Sequence, residues 1–443
     1  MQVAPNQGFK AKSINLCSIQ RPHMKGFHCA WASFFSAFIC WFAFAPLMVL
    51  VKADLGLTLS QVFTTNILSV AATVFVRFSI GPLCDKIGPK KCQVGLLTWI
   101  TVFTLLGMGV KNYWQLCIIR LCIGAGGAAF VVTQFWTTQL FSSEIVGTAN
   151  ATTAGWGNLG GGVTQMLMVA VYAGFRKSYG QEDAWRLSFL IPAAITGVVT
   201  AVMHFSSDDS PRGDLTHLYK EGVLARKTAK DSMKVGFGNI NSWILGVQYA
   251  CCFGIELHMN NTAALYFATT EKFGIGVIDA GLIASLFGWM NLFARSTGGV
   301  ASDLGNKYLG MRGRLLAQMI CLILEGIMLI VFSKQNSISS AIPCLVVFSF
   351  FVQATEGTSF GIVPYIEPEA LGGVCAVVGA WGNIGAVLWM LMFKFKYINN
   401  LSLGYEILGY IVIGSSLFTF LMRIKGQSHL VGTLETGSDL AKK

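Results

Sequence analysis

The chain of 443 residues has very little charge: Asp, Glu, Lys and Arg make up 12% of it, whereas 53% of its residues are hydrophobic. A soluble protein of this length carries far more charge, so the composition excludes that class and indicates a polytopic membrane protein in a lipid bilayer. The net charge of +11 comes from basic residues spread over short loops. The positive-inside rule explains that distribution, so we exclude nucleic acid as a partner.

Motifs for catalysis and for metal binding are also missing. The sequence has six histidines without metal spacing, no P-loop and no nucleophile motif, so we expect no enzyme activity, metal or cofactor. The twelve cysteines form no C-x-x-C pattern, and we interpret them as small core residues. The first apolar segment has no small-residue cleavage site after it, so we expect a retained helix and not a signal peptide.

Apolar runs of about 20 residues, each long enough to cross a bilayer, recur along the chain. We number them spans 1 to 12, and they predict an all-α membrane protein whose twelve transmembrane helices form two pseudo-symmetric halves of six. The predicted ranges are 27–51, 58–83, 92–110, 114–140, 148–175, 186–205, 240–267, 277–302, 315–332, 341–364, 371–395 and 405–422.

The basic residues predict how the spans are oriented. Lysine and arginine number 20 in the connections on the side of the termini and 9 on the opposite side, so both termini are expected in the cytoplasm. The predicted organisation is a cytoplasmic tail (1–26), a six-helix half (27–205), a cytoplasmic linker (206–237), a second half (238–425) and a cytoplasmic tail (426–443).

Two motifs occur twice, once in each predicted half. Arg77, Gly81 and Asp85 have the spacing R-x-x-x-G-x-x-x-D, and Arg295, Gly299 and Asp303 repeat it 218 residues later, at the ends of spans 2 and 8. The sequence Trp156-Gly157-Asn158 in span 5 returns as Trp381-Gly382-Asn383 in span 11, 225 residues later. Internal symmetry of this kind indicates a transporter built from duplicated halves.

Arg77 and Arg295 are expected deep in the membrane. Arg77 precedes Asp85, at the end of span 2, by eight residues, or about 12 Å of helix. The hydrocarbon half-thickness of a bilayer is about 15 Å, so Arg77 is expected near the midplane. A cation near the midplane costs at least about 2.5 kcal/mol and marks a functional site. Two such arginines that face one cavity predict an anionic ligand. The alternative is that each arginine is neutralised by a carboxylate within the spans, for which the candidates are Glu256, Glu325 and Glu356.

The loop after span 2, "GPLCDKIGPKK", resembles the cytoplasmic loop between the second and third helices of the major facilitator superfamily. Gly81, Asp85, Gly88, Lys90 and Lys91 match its G-x-x-x-D-x-x-G-x-[RK]-[RK] pattern. Charge pairs at these helix ends can hold one conformation and break in the other. We therefore assign conformational gating to this motif and to its repeat at Gly299 and Asp303. Arg120, in "RLCIGAGG", resembles another superfamily element, R-x-x-x-G, and is given a structural or gating role.

The two Trp-Gly-Asn segments, "AGWGNLGGGVTQ" and "GAWGNIGAV", resemble the paired nitrate signatures of the nitrate/nitrite porter family within this superfamily. "FGIEL" at 253–257 and "EGTSFGIVPY" at 356–365 are similar to its eukaryotic high-affinity branch. The resemblance implies transport of nitrate, with nitrite as a further substrate, by alternating access. It implies that Arg77 and Arg295 clamp the anion and that Asn158 contributes, with Asn383 assigned by the repeat. Gly157, Gly161 and Gly382 are expected beside the site because a small anion requires close backbones. The alternative for Gly157 and Gly161, which form a small-x-x-x-small pair, is helix packing alone.

Accumulation of an anion needs an energy source, because a negative interior opposes its uptake by about 2.3 kcal/mol per charge per 100 mV. The resembled branch implies proton symport, and Glu256 and Glu356 are the candidate proton acceptors. The alternative is that each of them permanently neutralises an arginine. The alternatives are a nitrate/nitrite exchanger and a nitrate-sensing receptor on the same fold. We expect the plasma membrane as the location, and the need for an accessory membrane subunit stays open.

Overall fold

Helices make up nearly all of the described chain. The computed structural model describes residues 2–142, 145–214, 229–270, 272–367 and 370–430. Its sheet is a two-stranded antiparallel hairpin near the N-terminus, Val3–Ala4 with Lys10–Ala11. The class predicted from the sequence, an all-α membrane protein, is confirmed.

The helices of the first six spans coincide with the predicted apolar runs. Span 2 begins at Thr58, whose side chain and that of Gln61 form a capping box. Span 1 is His23–Phe42, followed by a short helix, Met48–Asp54; span 2 is Leu59–Ile87; span 3 is Pro89–Leu106; span 4 is Tyr113–Gly124 and Ala129–Leu140, joined by the 3-10 turn Ala125–Ala128; span 5 is Val146–Phe175; span 6 is Gln181–Leu187 and Leu190–Ser206.

The second set of six follows the same order after a connecting helix, Ala229–Gly238. Span 8 is broken near its middle by a 3-10 turn. Span 7 is Ile240–Thr269; span 8 is Val277–Trp289, Met290–Leu292 and Ala294–Leu309; span 9 is Met311–Ser333; span 10 is Ile338–Ile366; span 11 is Leu371–Met392 with a π turn at Phe393–Tyr397; span 12 is Leu401–Ser416 with a 3-10 end at Leu417–Leu421.

Nine helical segments of the described chain are long and apolar enough to cross a membrane. The other three are spans 1, 5 and 7, with helices of 20, 30 and 30 residues. Their length suffices, but glycine, asparagine and other polar residues dilute their apolar character. The polar residues of spans 5 and 7 are largely buried, so these helices face protein more than lipid.

The expected loops at 84–92 and 303–314 are almost absent. Span 2 ends at Ile87 and span 3 begins at Pro89, so Gly88 alone connects them, with a φ of 88°. Gly310, with a φ of 60°, is the single connection between spans 8 and 9. The charged residues of both segments are therefore mostly helical, because the helices continue beyond the apolar core and glycine permits the sharp turn. This connection repeats in the two halves.

The N-terminal segment folds against the end of span 4. The Ser142 amide donates to the carbonyl of Ala11, and the Lys10 ammonium donates to the carbonyl of Thr138 at 2.7 Å. Burial lowers the pKa of Lys10. The predicted polar tail is therefore a packed element between the described residues 2 and 12.

Contacts divide the chain into two compact units. The first comprises Met1–Lys227 and Asn260–Trp289, and the second Thr228–Met259 and Met290–Lys443. The second part of span 7, from Asn260, and the first part of span 8, up to Trp289, thus belong to the first unit. The division into halves at 206–237 stays a prediction, and residues 215–228 of that linker lie outside the described residues.

Candidate anion-binding site

Arg77 is buried in span 2 of the first unit, with 9% of its surface exposed. Its Nε and Nη2 donate to the carbonyl of Gly127 at 3.3 and 3.0 Å, and its guanidinium lies 5.2 Å from the centre of the Phe130 ring. Gly127 belongs to the 3-10 turn that interrupts span 4. A break of this kind makes backbone carbonyls available to side chains, which explains why an intramembrane arginine is held here.

Arg295 is buried in span 8 of the second unit, just beyond the break in that helix. Its Nη1 lies 2.5 Å from Oε2 of Glu356 in span 10, and its Nη2 donates to the Tyr249 hydroxyl at 3.1 Å. Gly357, which follows Glu356 in span 10, faces the carbonyl of Arg295 with no room for a side chain. Spans 8 and 10 therefore approach closely at this ion pair.

Different groups contact the two arginines. The contacts of Arg77 include the carbonyl of Gly127, and those of Arg295 include the carboxylate of Glu356, which neutralises it. The carboxylate pairing considered from the sequence is thus present for Arg295 in this structure. The two arginines belong to separate compact units, and a clamp that closes both on one anion stays a prediction.

The glycines of the span 5 signature bring it against span 1. A side chain at Gly157 would overlap the Phe34 ring, and one at Gly160 would overlap the carbonyl oxygen of Phe35. Asn158, between them, is fully buried. Gly161 faces the Asn260 amide, 3.0 Å from where its Cβ would be. Gly157 and Gly160 therefore serve helix packing in this structure, and the place of Asn158 and Gly161 beside an anion stays a prediction.

The span 11 signature packs on span 7 in the same way. A side chain at Gly382 would meet the Tyr249 and Phe253 rings, and one at Gly385 would meet Ala250. Tyr249 and Ala250 follow Phe34 and Phe35 by the same 215 residues, so the second contact repeats the first. Asn383 is buried, and its Nδ2 donates to the carbonyl of Gly379 at 3.2 Å. The repeat in sequence is thus a repeat in packing.

The other candidate carboxylate, Glu256, also belongs to the second unit. Its Oε1 accepts a hydrogen bond of 2.8 Å from Nδ2 of Asn291, and both residues are buried. Asn291 lies in the 3-10 turn that breaks span 8, one turn before Arg295. The break in span 8 therefore brings an amide to one carboxylate, Glu256, and an arginine to another, Glu356.

One gating candidate, Asp303, has a charged partner at a helix end. Asp303 forms an ion pair of 2.7 Å with Arg314 of span 9. In the first unit Asp209 accepts a hydrogen bond from the backbone amide of Lys90 at 2.9 Å and so caps span 3. The side chain of Asp85 lies outside the described residues. Gly81 and Gly299 have open space where a Cβ would be, so neither glycine is required there by helix packing.

Arg120, the remaining gating candidate, is fully buried in span 4. Its Nη2 donates to the side-chain oxygens of Asn66 in span 2 and of Asn261 in span 7, the latter at 2.9 Å. All three residues belong to the first unit. Its partners are thus neutral amides.

Sequence reasoning missed Tyr249, Asp209 and the amide partners of Arg120. Tyr249 precedes Glu256 by seven residues, a spacing that puts both on one helix face and could have associated the tyrosine with the site. Asp209 follows span 6 in "SSDDSP" and carries no pattern that distinguishes it from a solvated loop acid. Asn66 and Asn261 are far apart in sequence, and neither belongs to a repeated motif.

Comparisons with known proteins agree with this architecture. Residues 30–390 match the Major Facilitator Superfamily. In solved structures, the chain resembles a bacterial homologue of the human lysosomal transporter Spinster, with a TM-score of 0.63, 14% identity and coverage of 89% of this chain and 94% of that one. It also resembles the nucleoside transporter NupG, with a TM-score of 0.65, 13% identity and coverage of 90% and 100%. At these identities the likeness shows the fold alone.

Sequence relatives are closer. The chain is 36% identical over 409 residues to high affinity nitrate transporter 2.5 of Arabidopsis thaliana, covering 92% of this chain and 81% of that protein. It is 39% identical over 383 residues to nitrate transporter 2.1 of Chlamydomonas reinhardtii, covering 84% and 69%. Two duplicated signatures, two buried arginines and this similarity along most of its length together place the chain in the high-affinity nitrate transporter family of the Major Facilitator Superfamily.

Proposed function

We propose that this chain carries nitrate across the membrane by alternating access, with Arg77 and Arg295 as its anion-binding cations. The observation that carries the proposal is the burial of these two arginines at repeated positions of spans 2 and 8. The names of the sequence relatives supply the substrate. A buried guanidinium presents paired N–H donors in one plane, which suit a small planar oxyanion better than an ammonium does.

The Arg295–Glu356 pair supports coupling to protons. While Glu356 is ionised, its carboxylate occupies the guanidinium donor that a nitrate oxygen would use. Protonation of Glu356 removes its negative charge, and nitrate then supplies the charge that Arg295 needs. One proton and one nitrate replace one carboxylate charge, so the buried site keeps its net charge in both states. This balance avoids the cost of an unpaired charge within the membrane.

A second proton is needed for the carried charge to become positive. One proton with one nitrate moves no net charge, whereas two protons allow the membrane potential to drive uptake. Glu256, which accepts a hydrogen bond from Asn291 next to the break in span 8, is the second candidate acceptor. The proposal is therefore symport with Glu356 and Glu256 as proton sites.

The proposal also covers a second substrate, the membrane in which the protein lies and its orientation there. Nitrite, which is also a small planar oxyanion, is proposed as a second substrate. One relative, from a Picosynechococcus strain, is named a nitrate/nitrite transporter. The plasma membrane is the proposed location, and the distribution of basic residues supports the proposal that both termini lie in the cytoplasm. The alternatives are a nitrate/nitrite exchanger and a nitrate receptor that does not transport.

Uptake by purified protein in proteoliposomes tests the function. We expect nitrate to accumulate when the outside is acidified and a negative interior potential is imposed, and to stop accumulating when a protonophore is added. Accumulation that is undiminished by the protonophore but requires internal nitrite identifies an exchanger. Binding of nitrate without any flux identifies a receptor. An accessory subunit is needed only if the purified chain is inactive and a membrane extract restores uptake.

A further inference from the structure

Arg120 is a further buried cation, and the proposed transport site does not use its surroundings. It lies seven residues after the start of span 4, near the membrane face that the basic residues assign to the outside. Its side chain is fully buried, and its guanidinium lies 5.8 Å from the Phe44 ring. Close contact between spans 2 and 4 fixes it there, because Gly124 faces the Ser69 carbonyl and the Thr73 hydroxyl donates to the Gly124 carbonyl at 2.6 Å.

The guanidinium of Arg120 is only partly satisfied. Of its five N–H donors, the two on Nη2 are taken by the side-chain oxygens of Asn66 and Asn261. Nε and Nη1, which carry the other three, have no hydrogen-bond acceptor in the part of the chain that the structure describes. Both bonded partners are neutral, and none of the described carboxylates forms an ion pair with Arg120. A buried cation in this state strongly favours an anion nearby.

The partner on span 7 is part of a closed contact within the first unit. The Gln165 amide of span 5 donates to the Asn260 carbonyl at 2.7 Å, next to Asn261. Gly162 of span 5 meets the backbone of Gly288 of span 8 without room for a side chain. Spans 7 and 8 are therefore held tightly against spans 2, 4 and 5 at this face, as an outer gate in its closed state requires.

Opening of this face would change what Arg120 can bind. Departure of span 7 removes the Asn261 oxygen and frees one N–H of Nη2, while Asn66 keeps the other. The freed N–H then pairs with an N–H of Nε or of Nη1 along one edge of the guanidinium, which is the arrangement that a planar oxyanion accepts. An amide oxygen, being neutral, binds a guanidinium more weakly than an anion does. The contact with Asn261 is thus strong enough to close the gate and weak enough for an anion to displace.

We propose that Arg120 is an outer recruitment site for a small planar oxyanion, and that Asn261 and the anion compete for its guanidinium as the outer face closes and opens. The proposal rests on the proposed nitrate transport by alternating access. It adds a step before the anion reaches Arg77 and Arg295: the anion first binds at Arg120 in the open state, and the return of Asn261 displaces it inward.

Sided kinetics with purified full-length protein in oriented proteoliposomes test the step, with nitrate as the probe. We expect R120Q to raise the KM for nitrate outside by about tenfold, as loss of a charged hydrogen-bond donor does, and to leave the KM for nitrate inside within about twofold of wild type. K111Q, which removes an exposed cation from the neighbouring loop, is the matched control and leaves both KM values unchanged. An outside KM that R120Q lowers or does not alter overturns the proposal, because loss of a purely structural latch favours the outward-open state and cannot raise that KM.

A second variant keeps the test decisive if R120Q does not fold. N261A removes the competitor and leaves Arg120 intact, so we expect the outside KM to fall by about threefold while the maximal rate decreases because the gate closes less firmly. An unchanged or raised outside KM in N261A refutes competition. Wild-type protein that moves no nitrate refutes the proposed function itself, whereas normal wild-type flux with unaltered KM values in both variants refutes only the recruitment step.

Discussion

Oε2 of Glu356 lies 2.5 Å from Nη1 of Arg295, and both side chains are almost completely buried. The pair joins span 10 to span 8 where Gly357 lets the two backbones meet. An anion that binds Arg295 must therefore compete with a carboxylate that is already present. Under the proposed function, that competition would let the protonation of Glu356 control the affinity for the anion.

The first prediction concerns E356Q. Glutamine cannot ionise, so in E356Q Arg295 should bind nitrate without prior protonation of residue 356. For wild-type protein we expect nitrate affinity to fall as pH rises, because the ionised carboxylate competes with the anion. For E356Q we expect nitrate affinity to depend much less on pH, and each nitrate to be carried with one proton fewer, because Glu256 remains as a proton site. Nitrate titrations of purified protein across pH, paired with proteoliposome flux, measure both.

The control for E356Q is E406Q. Glu406 pairs with Lys334 at the protein surface, where ion pairs contribute little, so E406Q should keep the wild-type pH dependence. If E356Q retains that pH dependence as well, Glu356 is only a permanent counter-ion and the proton site lies elsewhere.

The second prediction concerns R77K and R295K, which keep the charge but lose the planar fork. R77K loses the paired contact with the Gly127 carbonyl, and R295K loses simultaneous contact with Glu356 and Tyr249. Loss of a charged hydrogen bond of about 1.5 to 3 kcal/mol corresponds to a fall of about 10- to 100-fold in transport. Uptake rates normalised to surface expression measure it. R176K, at an exposed arginine, should be normal; near-normal uptake in both buried variants would contradict the clamp.

The third prediction concerns G160A in the span 5 signature. The added methyl group would overlap the Phe35 carbonyl oxygen, and backbone cannot rotate away as a side chain can. We expect span 1 and span 5 to separate slightly, at a cost of about 1 to 3 kcal/mol, seen as a lower Tm of the purified protein. G95A is the matched control, since Gly95 is also helical but has no atom within 4 Å of its Cβ position. An equal Tm for both variants would show that this contact is not tight.

The fourth prediction concerns the ion pair between Asp303 and Arg314. D303N leaves Arg314, which is only 7% exposed, without its carboxylate. We expect slower transport with unchanged nitrate affinity, because the pair joins the ends of spans 8 and 9, away from the anion site. Equilibrium binding and flux on the same preparation separate the two effects. D279N, at an exposed acid in the first turn of span 8, serves as the control; equal flux in D303N and D279N would remove Asp303 from gating.

Much of the fold was predictable from the sequence because apolar runs of fixed length and duplicated motifs carry it. The spacing of Arg77 to Asp85 and of Arg295 to Asp303 places both arginines deep within spans, and both are buried. The turns at Gly88 and Gly310 were not predictable as such, since charge runs usually indicate loops, whereas here the helices extend past the apolar core. The sequence also does not predict that Glu356, and not Glu256 or Glu325, pairs with Arg295, because this depends on how spans 8 and 10 align. The contact of Arg120 with Asn261 depends in the same way on packing between distant spans.

The single-residue connections at Gly88 and Gly310 have a mechanical consequence. A connection of one residue is too short to let the two joined helix ends separate. The ends of spans 2 and 3 therefore move together in any rearrangement, and so do the ends of spans 8 and 9. Arg77 and Arg295 lie on the first helix of each such pair. Each arginine therefore lies on a helix that is joined directly to the next one. A shift at the glycine end reaches the buried guanidinium because no flexible loop absorbs it.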